Sequence, residues 1–323
     1  MQKLHLFAWI DITKLIMSFG VVAIHVSTIF PSYSQCTDDI VQVVVPMFFV
    51  IAGFFYGNKY FATPNTNRNN VFTKTLKRLL LLYGVWTLIY APVAFIYLLN
   101  HWSVFDSIKL YLWNVIMLGQ NMMSWHLWYL LATIVSVVLI HLLMKIGVKL
   151  GYVVVLGLCL YALGVWLVNN PENTFLESYP MLFPDTQNGV FRGLCYVSLG
   201  MLLSKMFDVL PIWVYGLSAL IGIGVFFINV PLCYPFVAFG SVGLILSLPK
   251  QDIVPSFSVW ARNISTVIYL SHMYLIAIMQ QILHLHFGFT TSYIIVLPSA
   301  MLVAIFWMWI SKYRAFSFLR KII

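Results

Sequence analysis

The chain has 323 residues, 62% hydrophobic and only 8% charged, with a formal net charge of +9. A soluble domain of this size carries about three times that charged fraction, so the composition excludes a water-soluble enzyme and points to a polytopic helical membrane protein. The basic residues lie between apolar runs, which makes them an orientation signal rather than a nucleic-acid surface.

The first apolar run, Trp9 to Phe30, matches as a helix the roughly 30 Å hydrocarbon core of a bilayer. At 100° per residue, Asp11, Lys14, Ser18 and His25 share one stripe of that helix. Lys14 and His25 then lie three turns, roughly 16 Å, apart. The rest of the surface is Leu, Ile and Val, so the stripe is predicted to face the protein interior. Ionisable groups inside a membrane segment are costly and mark a functional site by default. The competing reading makes Asp11 and Lys14 a neutralising interfacial pair and His25 a packing residue. The N-terminus lacks a small-residue cleavage site, and its apolar run is too long for a signal-peptide core, so the run is expected to stay as a helix.

Further apolar runs cover 41–57, 76–99, 107–120, 126–146, 151–169, 189–206, 209–228, 231–248, 263–286 and 290–311. Charge decides which of them cross. If 107–120 does not, every Lys and Arg except Lys109 and Arg192 shares one side, with Lys14 just inside it. Asp38, Asp39, Asp106, Glu172, Glu177 and Asp185 take the other side. If 107–120 crosses, the asymmetry collapses. The positive-inside rule therefore predicts an all-α protein of about ten transmembrane helices with both termini cytoplasmic. The run at 107–120, short and carrying Lys109 and Asn114, reads as a re-entrant or interfacial piece that helps to wall a site. No repeat or linker is visible, so 1–323 reads as a single domain, multi-pass in the cell membrane. Cys36, Cys159, Cys195 and Cys233 have no metal or redox spacing and are expected to be packing residues.

Residues 58–75 read as a polar, basic cytoplasmic connection, and 170–188 as an outer loop, either an ordered cap or part of a substrate mouth. In the second span, Pro46 is expected to free a backbone carbonyl and Gly53 to permit close helix approach, the pattern of a kinked membrane helix. At the third span, Lys74, Lys77 and Arg78 occupy little more than one turn. They serve either as topology anchors or as an anion clamp for phosphates of a cytoplasmic ligand, to which Lys14 adds a charge. Trp125, Trp128 and Tyr129 open the next span at the outer surface, where an aromatic belt is usual; His126 among them is harder to dismiss. Late in the chain, His272 stands ten residues past Arg262, close to the offset of His25 from Lys14, so the two imidazoles should reach similar depths. Two histidines at one depth, with basic residues below each, favour a site.

These pieces carry a resemblance. Asp11-Ile-Thr-Lys14 followed after ten residues by His25, PMFFVIAGFF (46–55), the KRL of the third span with Tyr83, HLWYL (126–130), FRGLCYVSLG (191–200) and YLSH ending at His272 follow the order and spacing of the acyltransferase-3 family. The likeness covers essentially the whole chain and is closest to the short members without a soluble esterase-like domain. Two departures stand out. Position 14 is lysine where arginine is commoner, which loses the bidentate fork, and the arginine-x-x-arginine of the third helix is only approximated by Lys74/Lys77 and Thr75/Arg78.

The resemblance implies an integral-membrane O-acyltransferase that moves acetyl from cytoplasmic acetyl-CoA to a hydroxyl of an extracytoplasmic glycan or lipid-linked sugar. Acyl-CoA is then the donor substrate, no cofactor or metal is bound, and the partners are the acceptor and the lipid bilayer. Together with the residue pattern it makes His25 the general base, a task suited to imidazole. Lys14, Lys74, Lys77, Arg78 and Arg262 become donor-binding residues. Asp11, His126, Trp128, Tyr269 and His272 form the acceptor-side or orienting set. No Ser/His/Asp triad, zinc signature or phosphate-cradling glycine loop competes. The rival is a small-molecule permease, since ionisable residues at a membrane cavity also describe one and amino-acid (serine) uptake has been proposed for related racemase membrane domains. A scaffold or sensor in the cell envelope would need none of the histidines.

Overall fold

The computed structural model describes residues 7–30, 43–121, 123–170, 186–226, 231–248, 255–285 and 287–321. Among these the chain is all-helical, with no strand. In chain order the α-helices are α1 (Ala8–Ile29), α2 (Val44–Ala62), α3 (Arg68–His101), α4 (Val104–Trp113), α5 (Trp128–Lys145), α6 (Leu150–Asn169), α7 (Leu194–Met206), α8 (Ile212–Phe226), α9 (Tyr234–Ser247), α10 (Pro255–Ala277) and α11 (Phe289–Ile310). Each apolar run of the sequence coincides with one of them. Among the described residues six helices, α1, α2, α3, α5, α6 and α11, are long and apolar enough to cross a membrane. The other runs expected to cross are shorter, at 13, 15 and 14 residues for α7, α8 and α9, or carry Arg262, Asn263 and His272 in α10.

Several boundaries depart from hydropathy. The expected connection 58–75 is mostly helix: α2 runs on to Ala62, a 3₁₀ turn follows at Asn65–Asn67, and α3 begins at Arg68. Lys and Arg are good helix formers, so the backbone continues past the apolar edge while their charged ends stay outside it. Pro46 does not interrupt α2. It lies in the first turn, where the missing N–H has no intrahelical partner to lose. Of the outer loop, 171–185 lies outside the described residues; Asn188 at its end caps a π-helical turn, Gly189–Gly193, its side-chain oxygen accepting from the Val190 and Phe191 amides at 2.9 and 3.0 Å. Cys195 and Cys233 are buried as expected, whereas Cys159 is exposed on α6 and Cys36 lies outside the described residues.

Two cores hold the bundle. One joins α2, α5, α6, α7 and α9 around Phe49, Tyr196 and Met201; the other joins α1, α3, α5, α10 and α11 around Val26, Tyr90, Ile268 and Val296. α5 contributes to both, Ala132, Val137 and Ile140 to the first and Leu130 and Ile134 to the second. α1 also divides, with Ile10 and Met17 in the first core and Val22 and Val26 in the second. The site described below sits along this seam.

The segment α4 folds back along α3. The Tyr111 hydroxyl donates to the Thr87 carbonyl at 3.1 Å, and the Tyr83 hydroxyl to Val115 at 2.5 Å, in the π-helical turn Asn114–Leu118 that follows α4. Gly119 then reverses the chain at φ +71°, a left-handed conformation that glycine adopts without strain, and a Cβ there would strike Leu131. This return brings His126 into the bundle instead of leaving it at the outer surface.

Candidate functional site: a basic cavity beneath an imidazole cluster

Burial on α1 follows the predicted stripe. Asp11 and Ser18 are buried, Lys14 and His25 are partly buried, and Ile16 on the opposite side is 63% exposed. Asp11 accepts from the Ser258 hydroxyl at 2.6 Å, which ties α1 to α10. Lys14 stays within electrostatic reach of Asp11, Arg262 and Arg78, and its ammonium lies 4.7 Å from the centre of the Phe55 ring.

Higher on the same helix, the His25 ring meets two other imidazoles. Ring centres are 5.2 Å apart for His25–His272, 5.0 Å for His126–His272 and 6.3 Å for His25–His126. His126 and His272 are sealed, at 1% and 0% exposure, and His25 alone of the three keeps accessible surface. Nδ1 of His272 lies 3.1 Å from the Ile268 carbonyl. Among the described residues Nε2 of His272 has no hydrogen-bond partner, nor has either ring nitrogen of His126; the His126 ring approaches the Leu270 carbonyl without hydrogen-bond geometry.

Two tyrosines frame the cluster. Tyr269 lies 5.4 Å from His126 ring to ring and donates its hydroxyl to the His126 carbonyl at 2.5 Å. Tyr90, 5.3 Å from His126, donates to the Leu270 carbonyl at 2.8 Å and accepts from the Tyr274 amide at 3.1 Å. Sequence reading missed Tyr90; its one signal was a hydroxyl deep in an apolar span, two residues before Pro92.

Below the cluster lies a cavity of about 720 Å³. On α2 its wall is Phe48, Ala52, Phe55, Tyr56 and Lys59; on α3 it is Val71, Lys74, Thr75, Arg78 and Leu79, in both cases residues recurring at helical spacing. Lys14, Lys59, Lys74 and Arg78 all line it, and no carboxylate does among the described residues. Its far end is closed by Tyr129, Leu130, Tyr269 and Leu270. The histidines are not part of the lining. Tyr269 belongs to both, lining the cavity while its hydroxyl bonds the His126 carbonyl.

The structure thus brings together His25, His126, His272 and Tyr269 at one level and Lys14, Lys74 and Arg78 at another. It leaves out four predicted site residues, of which Asp11 bonds Ser258 and does not line the cavity. Lys77 points away on the exposed face of α3 and does not line the cavity, since it falls 100° from Arg78 and off the Lys74–Arg78 face. Arg262 also lies outside the lining, though within electrostatic reach of Lys14. Trp128 packs on Phe49 at 5.6 Å and belongs to the other core. Conversely, Lys59 was read only as a topology charge and Tyr56 not at all; their signal was the helical register of Phe48, Ala52, Tyr56 and Lys59.

A helical bundle with six span-length apolar helices, a cation-lined cavity and a buried imidazole cluster has the composition and architecture of a membrane protein. Residues 7–312 match the model of the acyltransferase-3 domain, described as an acyltransferase domain, and the chain belongs to that family. It is also similar to an amino-acid racemase of Enterococcus faecalis, 28% identical over 214 residues, and to a serine/alanine racemase of Enterococcus gallinarum, 30% identical over 207 residues. These matches cover 62% and 61% of this chain but only 28% and 29% of the relatives. No solved structure matches significantly. The racemase names belong to those longer proteins and do not favour a permease.

Proposed function

We propose that this membrane acyltransferase moves an acetyl group from cytoplasmic acetyl-CoA to a hydroxyl of an extracytoplasmic glycan or lipid-linked sugar, through ten spanning helices with both termini in the cytoplasm. The observation that carries the proposal is the basic cavity backing onto the imidazole cluster: phosphates of a donor bind at Lys74 and Arg78, Lys14 adds a charge further in, and the long acyl-bearing arm follows the apolar wall toward Tyr269. His25 takes the proton of the acceptor hydroxyl as its oxygen bonds to the thioester carbonyl carbon; the carbon–sulfur bond breaks and the leaving thiolate recovers a proton. Partial exposure of His25, against the sealed His126 and His272, supports it as the one imidazole an acceptor can reach.

The test is purified protein in lipid with labelled acetyl-CoA. Acetyl transfer or CoA release that falls about a hundredfold or more in His25→Ala, with folding retained, is the expected result. Transmembrane flux of serine without any acyl chemistry would overturn the reading.

A further inference from the structure

Hydroxyls along the cavity are almost all occupied. Those of Tyr129, Tyr269, Thr133, Ser265 and Thr266 each donate to a backbone carbonyl, at 2.5 to 3.2 Å. Among the buried side chains of the lining Tyr56 is the exception: the residue is only 4% exposed, and its hydroxyl has no partner among the described residues. A buried hydroxyl left unpaired is destabilising, and its retention calls for a partner that comes from elsewhere.

Position says what that partner is. Tyr56 lies three residues, roughly 4.5 Å along α2, inside Lys59 at the rim. Beyond it the wall turns aromatic and aliphatic at Phe48, Tyr129 and Leu130, with Lys14 the one charge on that side. Lys59 faces the cavity from α2 while Lys74 and Arg78 face it from α3, so cations border the rim on two helices. A single neutral donor just inside that rim, amid apolar side chains, suits an uncharged acceptor such as an amide carbonyl better than a further phosphate.

We propose that Tyr56 and Lys59 form the α2 half of the acyl-donor site, Lys59 completing the clamp on the phosphorylated head and the Tyr56 hydroxyl donating to an amide carbonyl of the arm between head and thioester. The assignment rests on the acyl-CoA reading above and names the chemistry its cavity selects: a polyanion carrying an amide-bearing chain. Neither residue touches the reacting atoms; both bind and position the donor.

The experiment is CoA binding to purified protein in lipid nanodiscs by calorimetry, beside thermal unfolding of the unliganded protein. Tyr56→Phe should weaken CoA about fivefold to tenfold and leave the unliganded Tm unchanged or higher, because the hydroxyl makes no bond within the protein. Lys59→Gln should weaken CoA about threefold to tenfold and flatten its salt dependence, which Tyr56→Phe leaves alone. Adenosine 3′,5′-bisphosphate, with phosphates but no amide arm, should compete equally well in wild type and Tyr56→Phe. Unaltered CoA affinity in Tyr56→Phe, or a lower unliganded Tm, overturns the proposal while the donor reading stands. Wild-type protein that binds no CoA overturns both.

Discussion

A carbonyl oxygen can only accept, so Nδ1 of His272, 3.1 Å from the Ile268 carbonyl, must carry the ring hydrogen. Its Nε2 is then a lone pair without a partner among the described residues, on a ring whose centre lies 5.0 and 5.2 Å from those of His126 and His25. His272 in that tautomer is suited to orient or receive a proton from its neighbours. His272→Gln should therefore lower kcat about tenfold to hundredfold and leave KM for acetyl-CoA unchanged, since His272 lies outside the cavity lining; steady-state kinetics at varied donor separates the two. Tyr90 is a different case. Its hydroxyl bonds Leu270 and Tyr274 at a site 1% exposed, so Tyr90→Phe strands two α10 backbone groups and should cost about 1–3 kcal/mol, read as a lower Tm in detergent. His25 and His272 were legible as a pair because both lie on spans of the same direction with a basic residue ten or eleven positions below. Tyr90 was not, because nothing in a span's hydropathy tells which of its hydroxyls meets another helix.

At the scale of elements, the closest approach is between α2 and α7. A Cβ built at Gly53 would sit 2.1 Å from the Val197 carbonyl oxygen, and one at Gly200 would sit 2.1 Å from that of Val50. Glycines facing one another across a membrane crossing let backbones pack at a distance no other residue allows. Gly53→Leu should force the helices apart, cost upwards of about 3 kcal/mol and abolish monodisperse protein on size exclusion. Gly84→Ala and Gly216→Ala, where an added Cβ meets nothing within 4 Å, should be recovered at wild-type yield. Sequence reading anticipated the close approach at Gly53 but expected Pro46 to bend the helix. The difference is one of register: a proline three residues into a helix starts it, and only the helix boundary, the least legible feature of a sequence, says which case applies. The long extension of α3 back to Arg68 was hidden for the same reason. Polar residues that carry a helix out of an apolar region look, in composition, like a loop.

For the whole molecule the sidedness of α4 decides the topology. Two tyrosine tethers hold this helix and the π turn after it against α3, and they return the chain to His126 within the bundle. If α4 does not cross, Lys74 before it and Lys149 after it lie on the same side, because α3 and α5 then cross in opposite directions. Lys109 lies on the other side. If α4 crosses, Lys149 moves outside, away from Lys74, and the cationic mouth of the cavity no longer shares a face with the later basic loops. Single cysteines placed at 74, 109 and 149, in a background with Cys36, Cys159, Cys195 and Cys233 replaced by alanine, distinguish the two. An impermeant maleimide added to intact cells should label Lys109→Cys alone, and the other two should react only after the membrane is opened. Lys149→Cys labelled from outside would make α4 a spanning helix. The later basic loops would then face outward, and the ten-span arrangement would fall with it.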